Sequence, residues 1–186
     1  MKITGIILCG GRGSRLGGQD KPLLAWRGKA LIAHVIERLT PQTDSLLISA
    51  NRNLQQYAAW APVMPDQQQD FSGPLAGILA ALSACNTDLA VICPGDGPLL
   101  PGDLVERLAG IRKAGEIAVA HDGERLQPLY QLLETKSISA LAAWCAGADQ
   151  SVTGWLNSQP HSVVDFSDRR ECFRNINQLA DLESGV

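Results

Sequence analysis

A glycine-rich loop with three cations follows the first apolar segment of the chain. Residues 3–9 are apolar and β-rich, and residues 10–22 contain five glycines together with Arg12, Arg15 and Lys21. Glycine lets a backbone curl so that its N–H groups point toward an anion. The three cations add positive charge at the same place. This composition predicts a polyphosphate-binding loop, because a flexible linker would not follow directly on a buried strand.

The spacing excludes two common phosphate loops. A P-loop ends in Gly-Lys-Ser/Thr, whereas Pro22 follows Lys21 here. A dinucleotide-binding fingerprint needs a third glycine where Leu16 stands, and an acid at the end of the second strand. That strand, predicted at residues 45–50, is followed by Asn51. The loop is therefore of a third type, in which arginine and lysine replace a helix-capped pyrophosphate site.

A carboxylate lies on a turn between two prolines. Asp96 stands between Pro94 and Pro98, after an apolar strand pattern at residues 89–93. Because proline fixes φ, this acid is held in place. A rigid carboxylate near a triphosphate suits Mg²⁺, which takes one or two carboxylates besides substrate phosphates. An ordinary turn or N-cap aspartate is the alternative interpretation.

A second carboxylate precedes a Gly-Pro step. Asp66 follows the short strand pattern at residues 63–64, and Gly73 comes before the next helix pattern. A carboxylate can accept hydrogen bonds from guanine N1–H and the exocyclic amine, a donor pair that the other bases lack. Asp66 is therefore a candidate reader of the base, with a solvated turn acid as the alternative.

Strand and helix patterns alternate along the chain, which predicts an α/β fold with a mainly parallel sheet and helices on both faces. The strand patterns cover residues 3–9, 45–50, 63–64, 89–93, 117–120, 129–133 and 162–166. The helix patterns cover residues 31–39, 54–60, 75–84, 104–113, 139–144 and 178–183. Ligands of such sheets bind at the carboxyl ends of the strands. The glycine loop, Asn51, Asp66 and Asp96 are therefore expected to converge at one edge.

Composition narrows the class of partner. The 186 residues suit one domain, and 16 basic against 19 acidic residues give a net charge of −3. That balance argues against broad nucleic-acid or membrane binding. No stretch approaches the ~20 apolar residues of a membrane span, and the first strand pattern leaves no room for a signal peptide. Five cysteines without a CxxC pair indicate reduced thiols and a cytoplasmic location.

The loop resembles the signature of the molybdenum cofactor guanylyltransferase family. The matching runs are Leu8-Cys9-Gly10-Gly11, Ser14-Arg15-Leu16-Gly17 and Asp20-Lys21. Cys9 and Leu16 stand where the family has Ala and Met. Near Asp96 the family prefers Cys and Thr or Met where this chain has Gly95 and Gly97. Ser49 stands where the family often has Asn, and Phe173-Arg174-Asn175-Ile176-Asn177 resembles its closing motif.

The resemblance implies a three-layer, Rossmann-like nucleotidyltransferase fold over residues 1–186. The N-terminal part of this single domain would bind GTP and the C-terminal part molybdopterin. The implied reaction transfers GMP from GTP to molybdopterin or the molybdenum cofactor, with Mg²⁺ as cofactor and pyrophosphate as by-product. Cofactor-carrier proteins and recipient molybdoenzymes are implied as further partners, with no nucleic acid or membrane.

The family's residue roles carry over to matching positions. The implied catalytic residues are Arg15, Lys21 and Asp96, with Asp96 also the Mg²⁺ ligand. The implied nucleotide-binding residues are Leu8, Cys9, Gly10, Gly11, Lys21, Ser49, Asn51, Asp66, Gly73 and Asp96. The implied molybdopterin-binding residues are Arg15, Asn175 and Asn177.

Other interpretations of these motifs stay open. Asn175 and Asn177 also fit an Asx turn and the cap of a last helix. A cytidylyltransferase that makes the CMP form is the nearest rival, although that group usually has Ala-Ala-Gly where this chain has Cys9-Gly10-Gly11. A sugar-phosphate nucleotidyltransferase usually carries more carboxyl-terminal sequence. A catalytically weak nucleotide-binding or cofactor-binding accessory protein is the alternative outside the enzymes.

Overall fold

A seven-stranded mixed sheet forms the centre of the fold. The computed structural model describes residues 1–9, 20–66 and 73–174. The strands of the large sheet are β1 Ile3–Leu8, β4 Ser45–Ser49, β5 Val63–Met64, β6 Leu89–Pro94, β7 Ile117–His121, β8 Leu126–Glu134 and β9 His161–Asp165. A separate hairpin pairs β2 Ala25–Trp26 with β3 Lys29–Ala30. The sheet order is β5-β4-β1-β6-β8-β7-β9.

Helices cover both faces of the sheet. They are α1 Leu31–Leu39, α2 Leu54–Ala58, α3 Pro74–Ser83, α4 Leu104–Ile111, α5 Ile138–Cys145 and α6 Val152–Ser158. Apolar side chains of α1, α2 and α4 pack on one face, and those of α3, α5 and α6 pack on the other. The central strand β6 is buried along its whole length, as expected for a strand covered on both sides. The predicted three-layer α/β class with a mainly parallel sheet is confirmed.

The strand register brings the carboxyl ends of four parallel strands to one edge. Leu8 of β1 lies opposite Ser49 of β4 and Pro94 of β6, and Ser49 lies opposite Met64 of β5. The segments that follow these strands therefore start side by side. This edge is where the sequence places the ligand.

Strand β8 departs from the parallel arrangement. It runs antiparallel between β6 and β7. Its register with β7 jumps from the pair Val119–Gln131 to the pair Ala120–Gln127, so that residues 128–130 bulge out of the ladder. Such bulges often re-aim a side chain next to a functional site.

Most predicted elements are found within two residues of their expected bounds, while β8 begins three residues earlier than expected. The hairpin β2–β3 and the helix α6 were not predicted from the sequence. The predicted helix at residues 178–183 lies outside the described residues. Across the ranges that the structure describes, no helix is long and apolar enough to cross a membrane.

Candidate active site

Lys21 and Asp96 form an ion pair at the carboxyl edge of the sheet. Lys21 Nζ donates a hydrogen bond to Asp96 Oδ2 at 2.5 Å, although 75 residues separate the two in sequence. Both side chains are about one-fifth exposed, at 21% and 20%. The pair thus offers solvent a cation and a carboxylate side by side, the two charges needed to meet a phosphate and a metal ion.

Backbone contacts hold the turn that carries Asp96. The Gly95 N–H donates to the Leu8 carbonyl at 2.9 Å, and the Gly97 N–H lies 3.5 Å from the Pro94 carbonyl. Pro22, next to Lys21, packs against this turn: an added β-carbon on Gly95 would lie 3.3 Å from Pro22 Cβ. The residues after β1 and after β6 are therefore fastened to one another directly below the ion pair.

Asp20 anchors the chain that leads into Lys21. Its side chain is only 4% exposed. Asn53 Nδ2 donates to Asp20 Oδ2 at 3.0 Å, and an Arg52 guanidinium nitrogen lies 3.5 Å from Asp20 Oδ1. Asn53 adopts a left-handed φ of 51°, a conformation that asparagine accepts more readily than most residues. A buried carboxylate thereby ties the start of the Lys21 turn to the segment after β4.

Asn51 and Asp66 clasp each other after β4 and β5. Asn51 Nδ2 donates to Asp66 Oδ2 at 2.7 Å, and the Asp66 N–H donates to Asn51 Oδ1 at 2.8 Å. Among the residues that the structure describes, the second carboxylate oxygen, Asp66 Oδ1, is buried and has no hydrogen-bond partner. An unpaired buried acceptor costs about 1–3 kcal/mol, so a ligand donor that reached this oxygen would be favoured.

Ser49 and Gly73 border the same region. Ser49 is 3% exposed, and an added β-carbon on Gly77 of α3 would overlap its Oγ. Gly73 stands just before α3 with a φ of 142°, a backbone conformation that favours glycine. The hydroxyl of Ser49 therefore lies under the first turns of α3, close to the Asn51–Asp66 clasp.

Leu8 and Cys9 take part through the backbone. The Cys9 N–H donates to the Ser49 carbonyl at 2.8 Å, and the Leu8 carbonyl accepts from Gly95. The Cys9 side chain is buried, 2% exposed. These residues join the strand ends on which the site stands, and their contact with a nucleotide stays a prediction.

Five of the predicted site residues lie outside the described part of the chain. They are Gly10, Gly11, Arg15, Asn175 and Asn177. Of the others, Lys21 meets Asp96 and Asn51 meets Asp66, while Leu8, Cys9, Ser49 and Gly73 lie around them. The expected convergence at one edge is thus found for the described residues.

The described donor set suits a metal held mostly by its substrate. Within residues 1–9, 20–66 and 73–174, no three His, Cys, Asp or Glu side chains form a metal-binding group. Mg²⁺ needs no such group, since it uses one or two carboxylates and completes its shell with phosphate oxygens and water. Asp96, partly exposed beside a lysine, fits that requirement. Closed zinc-type sites need more ligands than the described residues bring together.

Thiols and phenols beneath the site are held neutral. Burial, together with nearby Cys93 and acidic groups, raises the pKa of the Cys9 thiol well above its ordinary value. Burial also raises the pKa of the Tyr57 hydroxyl, assisted by Cys9 and Asp20. The same cause raises the pKa of the Tyr130 hydroxyl, with Cys93 and Asp96 adding to it. None of these groups supplies a nucleophile at neutral pH.

Sequence reasoning missed three contributors to this site. The sequence places Asp20 in the Asp20-Lys21 step of the loop motif but predicts no separate role for its side chain. Gly77 closes the run Gly73-Pro74-Leu75-Ala76-Gly77, which matches the family's Gly-Pro-Leu-Ala-Gly, and that match was its signal. Tyr130 lies in the strand predicted at residues 129–133. Nothing local in the sequence indicates that a bulge in β8 brings its hydroxyl beside Gly97, next to Asp96.

The fold and the site together define a nucleotidyltransferase. The MobA-like NTP transferase domain family matches residues 5–163 of the chain. Among solved structures, the molybdopterin-guanine dinucleotide biosynthesis protein A of Archaeoglobus fulgidus superposes with a TM-score of 0.76 at 21% sequence identity. That superposition covers 98% of this chain and 96% of the other, and it shows the shared fold.

Curated relatives narrow the class to one family. The chain is 44% identical over 178 residues to a molybdenum cofactor guanylyltransferase of Vibrio cholerae, covering 95% of this chain and 88% of the relative. It is 44% identical over 190 residues to one of Cupriavidus pinatubonensis, covering 98% and 95%. The chain belongs to the molybdenum cofactor guanylyltransferase family. It is therefore an enzyme of the nucleotidyltransferase class, as the loop signature predicted.

Proposed function

We propose that this protein transfers GMP from GTP to the phosphate of molybdopterin or the molybdenum cofactor, releasing pyrophosphate. The observation that carries the proposal is the Lys21–Asp96 ion pair, which joins the phosphate loop to the proline-bounded turn in a member of this family. Both motifs that the sequence singled out thus meet at one point of the sheet edge. The resulting dinucleotide would pass to recipient molybdoenzymes.

The base is guanine in this proposal, and Asp66 reads it. Asp66 Oδ2 is occupied by Asn51, which fixes the carboxylate. Asp66 Oδ1 accepts no hydrogen bond from the described part of the chain, and in this proposal it accepts from the N1–H or the amino group of guanine. Cytosine and adenine present an acceptor at the ring nitrogen of the same edge. Asn51 acts as the clamp for this reader, and Ser49 and Gly73 line its surroundings.

The reaction is an in-line displacement at the α-phosphorus. An oxygen of the molybdopterin phosphate forms a bond to this phosphorus, and the bond to the bridging oxygen breaks, so that pyrophosphate leaves with the electron pair. Positioning and charge neutralisation supply the acceleration, and no protein nucleophile is needed. Lys21 binds the phosphates together with Arg15 and the amides of the glycine loop.

Asp96 holds Mg²⁺ in this proposal. When bound, Mg²⁺ neutralises the charge that develops on the phosphate oxygens. The chain contributes the carboxylate, its fixed turn and the neighbouring ammonium of Lys21, which limits how far Asp96 can swing. Protonated Cys9 and Tyr130 beneath the turn add no further charge.

The chain works as a single domain with two substrate regions. The N-terminal part binds GTP, and the C-terminal part, with Asn175 and Asn177, binds molybdopterin. All five cysteines are free, in keeping with the proposed cytoplasmic location.

Isotope transfer tests the proposal. GTP labelled at the α-phosphate is incubated with the protein, molybdopterin and Mg²⁺, in parallel with GTP labelled at the γ-phosphate. The α-label is expected in the pterin product and the γ-label in pyrophosphate. Release of γ-label as inorganic phosphate without α-label in the pterin would contradict nucleotidyl transfer.

A further inference from the structure

Two glycines flank Asp96, and side chains from neighbouring segments fill the space beside both. An added β-carbon on Gly95 would lie 2.7 Å from Cys9 Sγ, and one on Gly97 would overlap the hydroxyl oxygen of Tyr130. Real β-carbons essentially never come within 3.0 Å of a heavy atom from outside their own residue and its chain neighbours. The turn is therefore packed tightly from outside, despite having no side chains of its own at these two positions.

Tyr130 reaches Gly97 because of the bulge in β8. Residues 128–130 are looped out of the ladder with β7. The Tyr130 ring, 2% exposed, packs edge to face on Phe173 with ring centroids 4.9 Å apart. Phe173 packs in turn on Phe166 at 5.3 Å. With these rings behind it, Tyr130 cannot retreat from Gly97.

The Tyr130 hydroxyl makes no hydrogen bond to any residue that the structure describes. A buried hydroxyl without a partner lowers stability, and a phenylalanine would avoid that cost. The hydroxyl therefore does not serve the stability of the core. The hydroxyl occupies the space that a β-carbon of residue 97 would take, next to Asp96.

We propose that Tyr130 is a positioning residue for Asp96, and that its hydroxyl holds the turn of residues 94–98 so that the carboxylate stays beside Lys21. Cys9 supports the same turn at Gly95. This inference rests on the proposed function, in which Asp96 holds the metal ion. It assigns the bulge of β8 a role in the site, since the bulge delivers the side chain that braces the turn.

Tyr130→Phe should separate stability from metal binding. The melting temperature is expected to be equal to or above that of the wild type, because no hydrogen bond is lost. The half-saturating Mg²⁺ concentration for pyrophosphate release from GTP should rise about threefold or more, because loss of a group that positions a metal ligand weakens metal binding. Binding of Mn²⁺ in the presence of GTP, measured by electron paramagnetic resonance, should weaken by a similar factor.

A hydroxyl supplied from residue 97 should restore the Mn²⁺ affinity of Tyr130→Phe. In Tyr130→Phe the nearest remaining atom to a β-carbon at residue 97 is the ring Cζ, 3.4 Å away. Gly97→Ser therefore fits in that background and should return the Mn²⁺ affinity toward the wild-type value. Gly97→Ser alone collides with the Tyr130 hydroxyl, so it should lower the melting temperature.

Thr4→Val is the matched control. Thr4 is also buried, but it lies near the amino end of β1 and its hydroxyl bonds to Ser45 and Thr87 at 2.9 and 2.7 Å. This variant should lower the melting temperature and leave Mn²⁺ affinity unchanged, the reverse of Tyr130→Phe. Equal weakening in both variants would reduce Tyr130 to a general structural role and overturn the inference.

Two outcomes distinguish the inference from the proposed function. Unchanged Mn²⁺ affinity in Tyr130→Phe, alongside lost affinity in Asp96→Asn, would overturn the positioning role and leave the function standing. A wild type that releases no pyrophosphate from GTP would overturn the function. The Mn²⁺ measurements on Tyr130→Phe and its rescue would still decide whether Tyr130 positions Asp96.

Discussion

At the residue scale, one carboxylate and one ammonium carry most of the proposed chemistry. Lys21 and Asp96 come from separate motifs and meet at 2.5 Å. Neither charge is deeply buried, so the pair does not carry the desolvation penalty of an interior ion pair. Both groups remain within reach of a substrate that supplies its own anion and cation.

Asp96→Asn is expected to abolish Mg²⁺-dependent turnover. The amide keeps the size of the side chain and removes the negative charge, so packing under the turn is preserved. The measurement is the rate of pyrophosphate release against Mg²⁺ concentration, with circular dichroism as the check on folding. If the variant retains the wild-type rate and Mg²⁺ dependence, another acid holds the metal.

Lys21→Ala is expected to lower kcat/KM for GTP by at least about tenfold. One charge-assisted hydrogen bond to phosphate contributes about 1.5–3 kcal/mol, and ~1.4 kcal/mol is one factor of ten. Lys29→Ala is the control, because Lys29 is half exposed and pairs with Glu37 away from the site. Similar kinetics in both variants would remove Lys21 from phosphate binding.

The sequence predicted the residue types of the site better than their supports. Asp66 and Asp96 were found because each closely follows a strand pattern, and Lys21 because it ends the glycine loop; both signals are local in sequence. Gly97 alone would indicate a looser turn. The structure shows the opposite, since the Tyr130 hydroxyl fills the space. That compensation joins residues 33 positions apart in the sequence, Gly97 and Tyr130, so no local pattern predicts it.

At the element scale, Asp20 ties the start of the Lys21 turn to the segment after β4. Asp20→Asn is expected to lower the free energy of unfolding by about 1–3 kcal/mol, because the new amide cannot accept at both positions from Arg52 and Asn53. Activity should fall as well, since Lys21 follows directly. Chemical denaturation measures the first effect and pyrophosphate release the second. Asp20→Asn with wild-type stability would contradict this anchoring.

The end of β8 carries an acid whose protonation should weaken the fold. The pKa of Glu134 is lowered to about 2 by hydrogen bonds from the Lys136 side chain, the Gly115 N–H and the Arg112 side chain, against the opposing effect of burial. A lowered pKa stabilises the fold above the unfolded-state value near 4.5. This contribution, on the order of 3 kcal/mol at most, is lost as pH falls from about 4.5 to 2.

Glu134→Gln provides the test of that pH dependence. The free energies of unfolding of wild type and variant are compared at pH 7, 4 and 3. The wild type should be more stable at pH 7, and the difference should shrink toward acid pH. A difference that is constant with pH would show that Glu134 stabilises the fold without titrating.

At the scale of the whole molecule, the sequence predicted the layers of the fold and missed part of the connectivity. Apolar strands alternating with helices dictate an α/β sandwich, but a strand pattern does not state its partner or direction. The antiparallel β8 and its bulge arise from tertiary pairing with β6 and β7. Helix α6 was missed although Val152, Trp155 and Leu156 have helical spacing behind a Ser151 cap, because seven residues give a weak periodicity.

The arrangement of the sheet explains how distant motifs form one site. Four parallel strands end in register, so the chain crosses the same edge after β1, β4, β5 and β6. Each crossing contributes one polar group: Lys21, Asn51, Asp66 and Asp96. In the proposed function, Asp66 at one end of this row reads the base, and Lys21 and Asp96 at the other end meet the phosphates and the metal ion.

The choice of nucleotide tests the central claim most directly. Pyrophosphate release is measured for wild type and Asp66→Ala with GTP and with CTP, in the presence of molybdopterin and Mg²⁺. The wild type is expected to prefer GTP, and Asp66→Ala should lose at least about tenfold with GTP and much less with CTP. A wild-type preference for CTP, or equal losses for both nucleotides in Asp66→Ala, would contradict the assignment of a guanylyltransferase in which Asp66 reads the base.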